Sequence, residues 1–340
     1  MRWTRVAGLL GLTALAPLAA NTAAAQTAPS AWPSSAQFCD RAQVHDARQQ
    51  DRLLRFAAAV HDALDASSAR GAGVALIARS GIDLSRFDVR YSHAGIALKS
   101  GDDARWSVRQ LYYACDEARP RLYDQGVAGF LFGMEAPAIA YVSIVLLPDS
   151  AARDLQRAAS DTRVARRLLA ARYSANAFPF SVRYQNCNQW VAEMLAAAWS
   201  GSDGPLDPAA DLAADLAADL AADTAADTVA AGEARARAQR WLAEAGYAPV
   251  PIDIGSHLLK FAGSLMPLLH FDDHPEDERL GLRLRVSLPT TIEAFIRHRL
   301  PQARRIELCH DDSRIVVRHG WQPIADGCRP EAGDRVLTLS

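Results

Sequence analysis

Tyr91-Ser92-His93-Ala94-Gly95-Ile96-Ala97-Leu98 and, later in the chain, Tyr184-Gln185-Asn186-Cys187-Asn188-Gln189-Trp190-Val191 are the stretches on which the fold turns. The first sets a histidine at the start of a strand, beside small residues that leave room for something to approach the imidazole. The second sets a cysteine at the mouth of a helix. Backbone N–H groups are unsatisfied there and the helix dipole is positive, which favours thiolate over thiol and offers donors to an oxyanion. A cysteine nucleophile needs a base, and histidine is the usual one. Cys187 thus reads as a nucleophile and His93 as its base, with Tyr184, Gln185, Asn186 and Asn188 as oxyanion or pocket candidates. The plainer alternatives are a buried core thiol and a hydrogen-bonded core histidine.

Around these motifs the pattern is mixed α and β. Leu53, Phe56, Val60 and Leu64 give residues 40–66 a helical stripe, and residues 74–79 read as a strand. Residues 90–98 and 105–113 read as a hairpin across Lys99-Ser100-Gly101-Asp102-Asp103. Residues 122–132 suggest a short helix, 141–147 a buried strand, 149–171 and 188–199 helices. Further helices are expected at 233–245 and 255–265. Thr290-Thr291-Ile292-Glu293 reads as a capping box opening a helix to about residue 299. Strands at 304–309 and 314–319 follow. Residues 201–232 contain a drifting Asp-Leu-Ala-Ala repeat, whose four-residue period overshoots the helical turn, and read as a surface insert.

The N-terminus reads as an export signal. Arg2 and Arg5 precede an apolar run, residues 6–20, and Ala23 and Ala25 suit a signal peptidase cutting before Gln26. The rival, a membrane anchor, would need about 20 apolar residues. No cysteine follows the run to take a lipid, and no later segment is long enough to span a bilayer. The expected compartment is periplasmic or extracellular. Half the chain is apolar, and its net charge of −2 argues against a nucleic-acid partner. Five cysteines in an oxidising compartment leave one over. Cys309 and Cys328 flank a two-stranded unit and are paired. Cys39 and Cys115 could join the N-terminal segment to the first sheet, which leaves Cys187 free. Other connectivities stay open.

His-Ala-Gly-Ile-Ala-Leu at residues 93–98, followed by Asn-Cys-x-x-Trp-Val at 186–191, resembles the circularly permuted NlpC-type papain fold, a superfamily that includes relatives of lecithin:retinol acyltransferase. The resemblance implies an α+β fold in which a small antiparallel sheet packs on the cysteine-bearing helix, with an α/β extension at the C-terminus. Together with the export signal and the repeat, it divides the chain into a signal peptide (1–25), papain-like core (26–200), insert (201–232) and C-terminal extension packed on the core (233–340). It implies hydrolysis of an amide, ester or thioester, or acyl transfer, through an acyl-cysteine on Cys187. Cell-wall peptides and lipid acyl groups are the implied substrates. A third polar residue is implied on the strand after the histidine strand. With the hairpin centred on Gly101-Asp102 that residue is Gln110, and in another register Ser107 or Arg109. Many relatives have a histidine or an acid there. A glutamine orients a neutral imidazole but cannot stabilise an imidazolium as an acid would.

A wider pattern adds Phe38-Cys39, Asp272-Asp273-His274-Pro275, Gly320-Trp321 and Gly327-Cys328. It is similar to a bacterial family catalogued as domain of unknown function 2145, which implies an exported protein and no particular activity. A non-catalytic envelope binding or scaffold protein that retains the fold is the alternative. His270, His274 and the carboxylates around them form a possible metal-ligand set. The other reading is a solvated loop bounded by Pro275. No phosphate loop, nucleophile elbow or four-ligand Cys/His spacing is present, and no metal or cofactor is expected.

Overall fold

The computed structural model describes residues 46–68, 73–99, 105–115, 117–133, 138–201 and 225–339, with the side chains of 225–228 excepted. The expected signal peptide, Cys39 and most of the expected insert lie outside the described residues. In chain order the first elements are α1 (Ala47–Ser68), β1 (Val74–Arg79), β2 (His93–Lys99), β3 (Trp106–Ala114), β4 (Arg119–Gly126), α2 (Val127–Phe132) and β5 (Ala140–Leu146). Then come α3 (Asp149–Ser160), α4 (Thr162–Arg167), α5 (Cys187–Trp199), α6 (Ala225–Glu244), β6 (Pro251–Asp253) and α7 (His257–Ser264). The chain closes with α8 (Glu276–Leu280), β7 (Arg283–Arg285), α9 (Pro289–Arg299), β8 (Arg304–His310), β9 (Arg314–His319) and β10 (Arg335–Thr338).

All six residues of β1 are buried, which a strand achieves only when both its faces are covered. Ala75 and Ile77 point to one side, where α1 lays down Leu53, Phe56, Val60 and Leu64 and α2 adds Phe130. Val74, Leu76 and Ala78 point to the other, where α3, α5, α6 and α9 pack. Each large side chain buried this way contributes about 1.5–3 kcal/mol. The sheet between the two helical layers is antiparallel and eight-stranded, in the order β10-β9-β8-β5-β1-β2-β3-β4. The mixed α and β character agrees with the sequence. The sheet is not the small one expected, because β8, β9 and β10 continue it through β8 pairing with β5.

Residues 122–126 are strand, not helix: each pairs across β4 with β3, from Leu122 opposite Leu111 to Gly126 opposite Ser107. Helix begins only at Val127. Pairing along a full edge overrode local propensity there. The helix foreseen over 149–171 is two, broken at Asp161, whose side chain caps α4 by accepting from the Arg163 N–H. The capping box at Thr290 does not form. Pro289 takes the first helical position behind Leu288, which places Glu293 two residues too deep to reach back. Glu293 instead pairs with Arg305 at 3.1 Å.

Cys309 and Cys328 are disulfide-bonded across a separation of 19 residues, a constraint of about 3 kcal/mol on the unfolded chain. Cys115 is also disulfide-bonded. Its expected partner, Cys39, lies outside the described residues. Cys187 is free and buried. No described helix is long and apolar enough to cross a membrane.

Candidate functional site

His93 opens β2 directly across from Arg79, the last residue of β1. Its ring turns towards the α2 side of the sheet, 5.1 Å from Tyr112 and 5.8 Å from Phe130 between ring centres. Nε2 lies 2.6 Å from Oε1 of Gln110, and the Gln110 amide donates to Oε1 of Gln125 on β4 at 2.7 Å. Gln110 is therefore the imidazole's partner, although the register differs from the expected one. The β2–β3 ladder sets Ile96 against Arg109, so Gly95 stands opposite Gln110. A strand repeats every two residues, so this shift of two keeps Gln110 on the face of His93. Ser107 and Arg109 fall on the other face, and Arg109 pairs with Asp124. Gly95 is required here: a Cβ would stand 2.6 Å from Val108 and 3.1 Å from the Arg109 carbonyl. The small residue beside His93 thus admits the neighbouring strand.

Cys187 is the first residue of α5. Asn186 caps the helix, its Oδ1 accepting from the Gln189 N–H at 2.7 Å. The β2–β3 ladder starts only at Ile96, and α5 inserts its N-terminus beside the unpaired stretch before it. The sulfur lies 4.0 Å from the Ser92 carbonyl, to which the Asn188 side-chain amide donates at 3.1 Å. Backbone N–H groups of Asn188, Ala94 and Cys187 itself point at the sulfur. The His93 ring lies on the α2 side of the sheet, whereas the Cys187 sulfur belongs to the core layer on the α5 side. Among the described residues no hydrogen bond joins it to the His93 ring.

Electrostatics oppose the expected resting thiolate. Burial pushes the Cys187 thiol up to about 11, against the pull of the N–H groups and the charge of Arg79. Burial, and then Arg79, holds His93 down at about 3, against the Gln110 hydrogen bond. Desolvation outweighs the helix N-terminus, and the resting pair is thiol and neutral imidazole. Arg79 bears on both groups and was missed from sequence. It is buried at 2 % exposure, donates to the Gly133 carbonyl and, at 3.2 Å, to the Tyr112 hydroxyl, and lies over Phe130. A charged residue ending the apolar run of residues 74–78 was the available signal.

The other pocket candidates separate. The Gln185 amide donates to Leu168 and Glu193 and accepts from Ala170, a brace under α5. Asn186 donates to the Ala175 and Ser287 carbonyls. The Tyr184 ring stacks on His270 at 4.4 Å. Of these only Asn188 stays at the sulfur, and its buried Oδ1 has no hydrogen-bond partner among the described residues. Beneath them Glu193 and Arg235 form a fully buried ion pair at 2.9 Å, and Arg235 also donates to the carbonyls of Val182 and Tyr184. In the His270–Asp277 segment only His274 is buried, and Asp272, Glu276 and Asp277 are exposed. His274 lies 2.8 Å from Glu278 through Nδ1 and 2.7 Å from the Asn176 carbonyl through Nε2, so neither nitrogen is left for a metal. No group of three or more metal-type ligands occurs among the described residues.

The sequence profile of a family described as "Uncharacterized protein conserved in bacteria (DUF2145)" matches residues 66–296. That span holds Arg79, His93, Gln110, Gln125 and Cys187 and stops before β8. No curated protein and no solved structure matches the chain.

Proposed function

The chain belongs to the DUF2145 family of proteins conserved in bacteria, whose description names no activity, and on that premise we propose an exported cysteine hydrolase or acyltransferase of permuted papain-like type. The observation that carries the proposal is an oriented histidine opening the strand beside whose start lies a cysteine ringed by backbone donors. His93 is held by Gln110 at 2.6 Å, and the Cys187 sulfur faces the N–H groups of Cys187 and Asn188 on α5 and of Ala94 on β2. The order, with the histidine strand before the cysteine helix, also supports it.

With Nε2 bonded to the Gln110 oxygen, Nδ1 keeps its lone pair and is the base. The thiol proton passes to Nδ1 as sulfur attacks the acyl carbon. The carbonyl electron pair moves onto oxygen, held by the N–H groups of Cys187, Asn188 and Ala94. Collapse breaks the bond to the leaving group, which takes the proton from His93. Water, or an acceptor alcohol or amine, then attacks the thioester and frees Cys187. Because both groups rest neutral, proton transfer accompanies attack. The ring must also reach the sulfur past the start of β2. Amide, ester and thioester carbonyls all suit this chemistry. Peptidoglycan peptides and lipid acyl groups are the candidate classes.

A non-catalytic envelope protein is the second reading, favoured by the burial of both groups and by a thiol near 11. The test is acyl trapping. The protein is incubated with activated ester, thioester and amide donors, and intact mass and peptide mapping locate any adduct. Acylation of Cys187, lost in His93→Ala, supports the enzyme. A Cys187 that stays unmodified by all three donors, yet reacts normally once unfolded, refutes it and leaves the scaffold.

A further inference from the structure

We infer that Gln125 is a positioning residue which, through Gln110, decides which nitrogen of His93 carries the proton. The three side chains lie in line across β2, β3 and β4, linked at 2.6 Å and 2.7 Å. A carboxamide donates only through nitrogen and accepts only through oxygen. When Gln125 accepts, Gln110 gives its N–H outward and turns its oxygen to the imidazole. Nε2 must then be the protonated nitrogen and Nδ1 the free one. Were Gln125 to donate, the Gln110 amide would turn over, Nε2 would accept, and the proton would sit on Nδ1. Gln125 is exposed while Gln110 and His93 are buried. A surface residue thus sets the state of a buried imidazole. The catalytic meaning of this relay rests on the cysteine-hydrolase reading above, but the relay itself does not.

Replacing an exposed side chain leaves the core intact, so the relay can be driven in both directions. In Gln125→Glu the carboxylate can only accept. In Gln125→Lys the ammonium can only donate. Long-range proton–nitrogen spectra of labelled protein at pH 7.5 report the His93 tautomer, with His93→Gln used to assign the signals. The expected result is Nε2–H in wild type and Gln125→Glu, and Nδ1–H in Gln125→Lys. Cys187 acylation should persist in the first two and be lost in the third. An Nδ1–H imidazole in wild type, or one tautomer shared by all three proteins, overturns the relay whatever the acylation shows. A tautomer that switches while no protein acylates sustains the relay and removes the hydrolase reading instead.

Discussion

Acidification should destabilise this protein through His93, by an amount the site itself fixes. The imidazole has an ordinary value of 6.5 and is held down at about 3 in the folded chain, by burial first and then by Arg79. A base whose folded value lies below its unfolded value binds fewer protons folded than unfolded. Its neutral form is no burden above pH 6.5. Stability then falls as pH drops below 6.5 and levels off only near 3. Each unit in that window costs about 1.4 kcal/mol, so moving from pH 7 to pH 4.5 removes roughly 2.5 kcal/mol. The comparison is urea unfolding at both pH values for wild type and His93→Gln, whose amide can still donate to Gln110. Carboxylates and the buried His310 titrate in both proteins and cancel. At an m-value of about 3 kcal/mol/M, the wild-type midpoint should drop by just under 1 M more than that of the variant. Equal losses would mean that His93 is not a buried neutral group, and the tautomer argument would fall with it.

Arg235→Ala would leave the Glu193 carboxylate buried without its cation, and the Val182 and Tyr184 carbonyls without their donor. The expected cost is about 3–5 kcal/mol, measured by urea unfolding, and a cost below about 1 kcal/mol would contradict the buried pair. In the folded protein, iodoacetamide should modify Cys187 at a rate that still rises beyond pH 9, because the thiol is pushed up to about 11. A plateau between pH 6 and 8 would indicate a stabilised thiolate and contradict that balance.

The parts legible in the sequence were those governed by local pattern. Val74 to Arg79 spelled its strand, Cys187 lay at a helix mouth, and His93 and Gln110 lay on facing strands. Gln110 was reached with the wrong centre for the hairpin, and the period of two in a strand absorbed the error. What stayed hidden depends on partners distant in the chain. Gln185 looks like part of the cysteine motif, yet its amide is used by Leu168 and by Glu193, which in turn answers Arg235. The state of Cys187 was misjudged for a related reason. A helix N-terminus can be read from neighbouring residues, whereas desolvation is set by everything packed above it. Sequence local to Tyr123 and Gln125 read as helix, because nothing in it announces an edge strand paired to β3.

The pairing of β8 with β5 bears on how the chain is made. The family segment ends at residue 296, and β8 begins at Arg304. A fragment trimmed to the family boundary would contain every proposed reacting group and still lack the strand that covers β5. Residues Ala140 to Val145 are all buried in the whole chain, and the fragment would present them as a bare, sticky rim. The same exposure exists for a time during synthesis, until β8 has emerged. β8 closes the seam when it docks on β5, and until then the rim is open to wrong pairing.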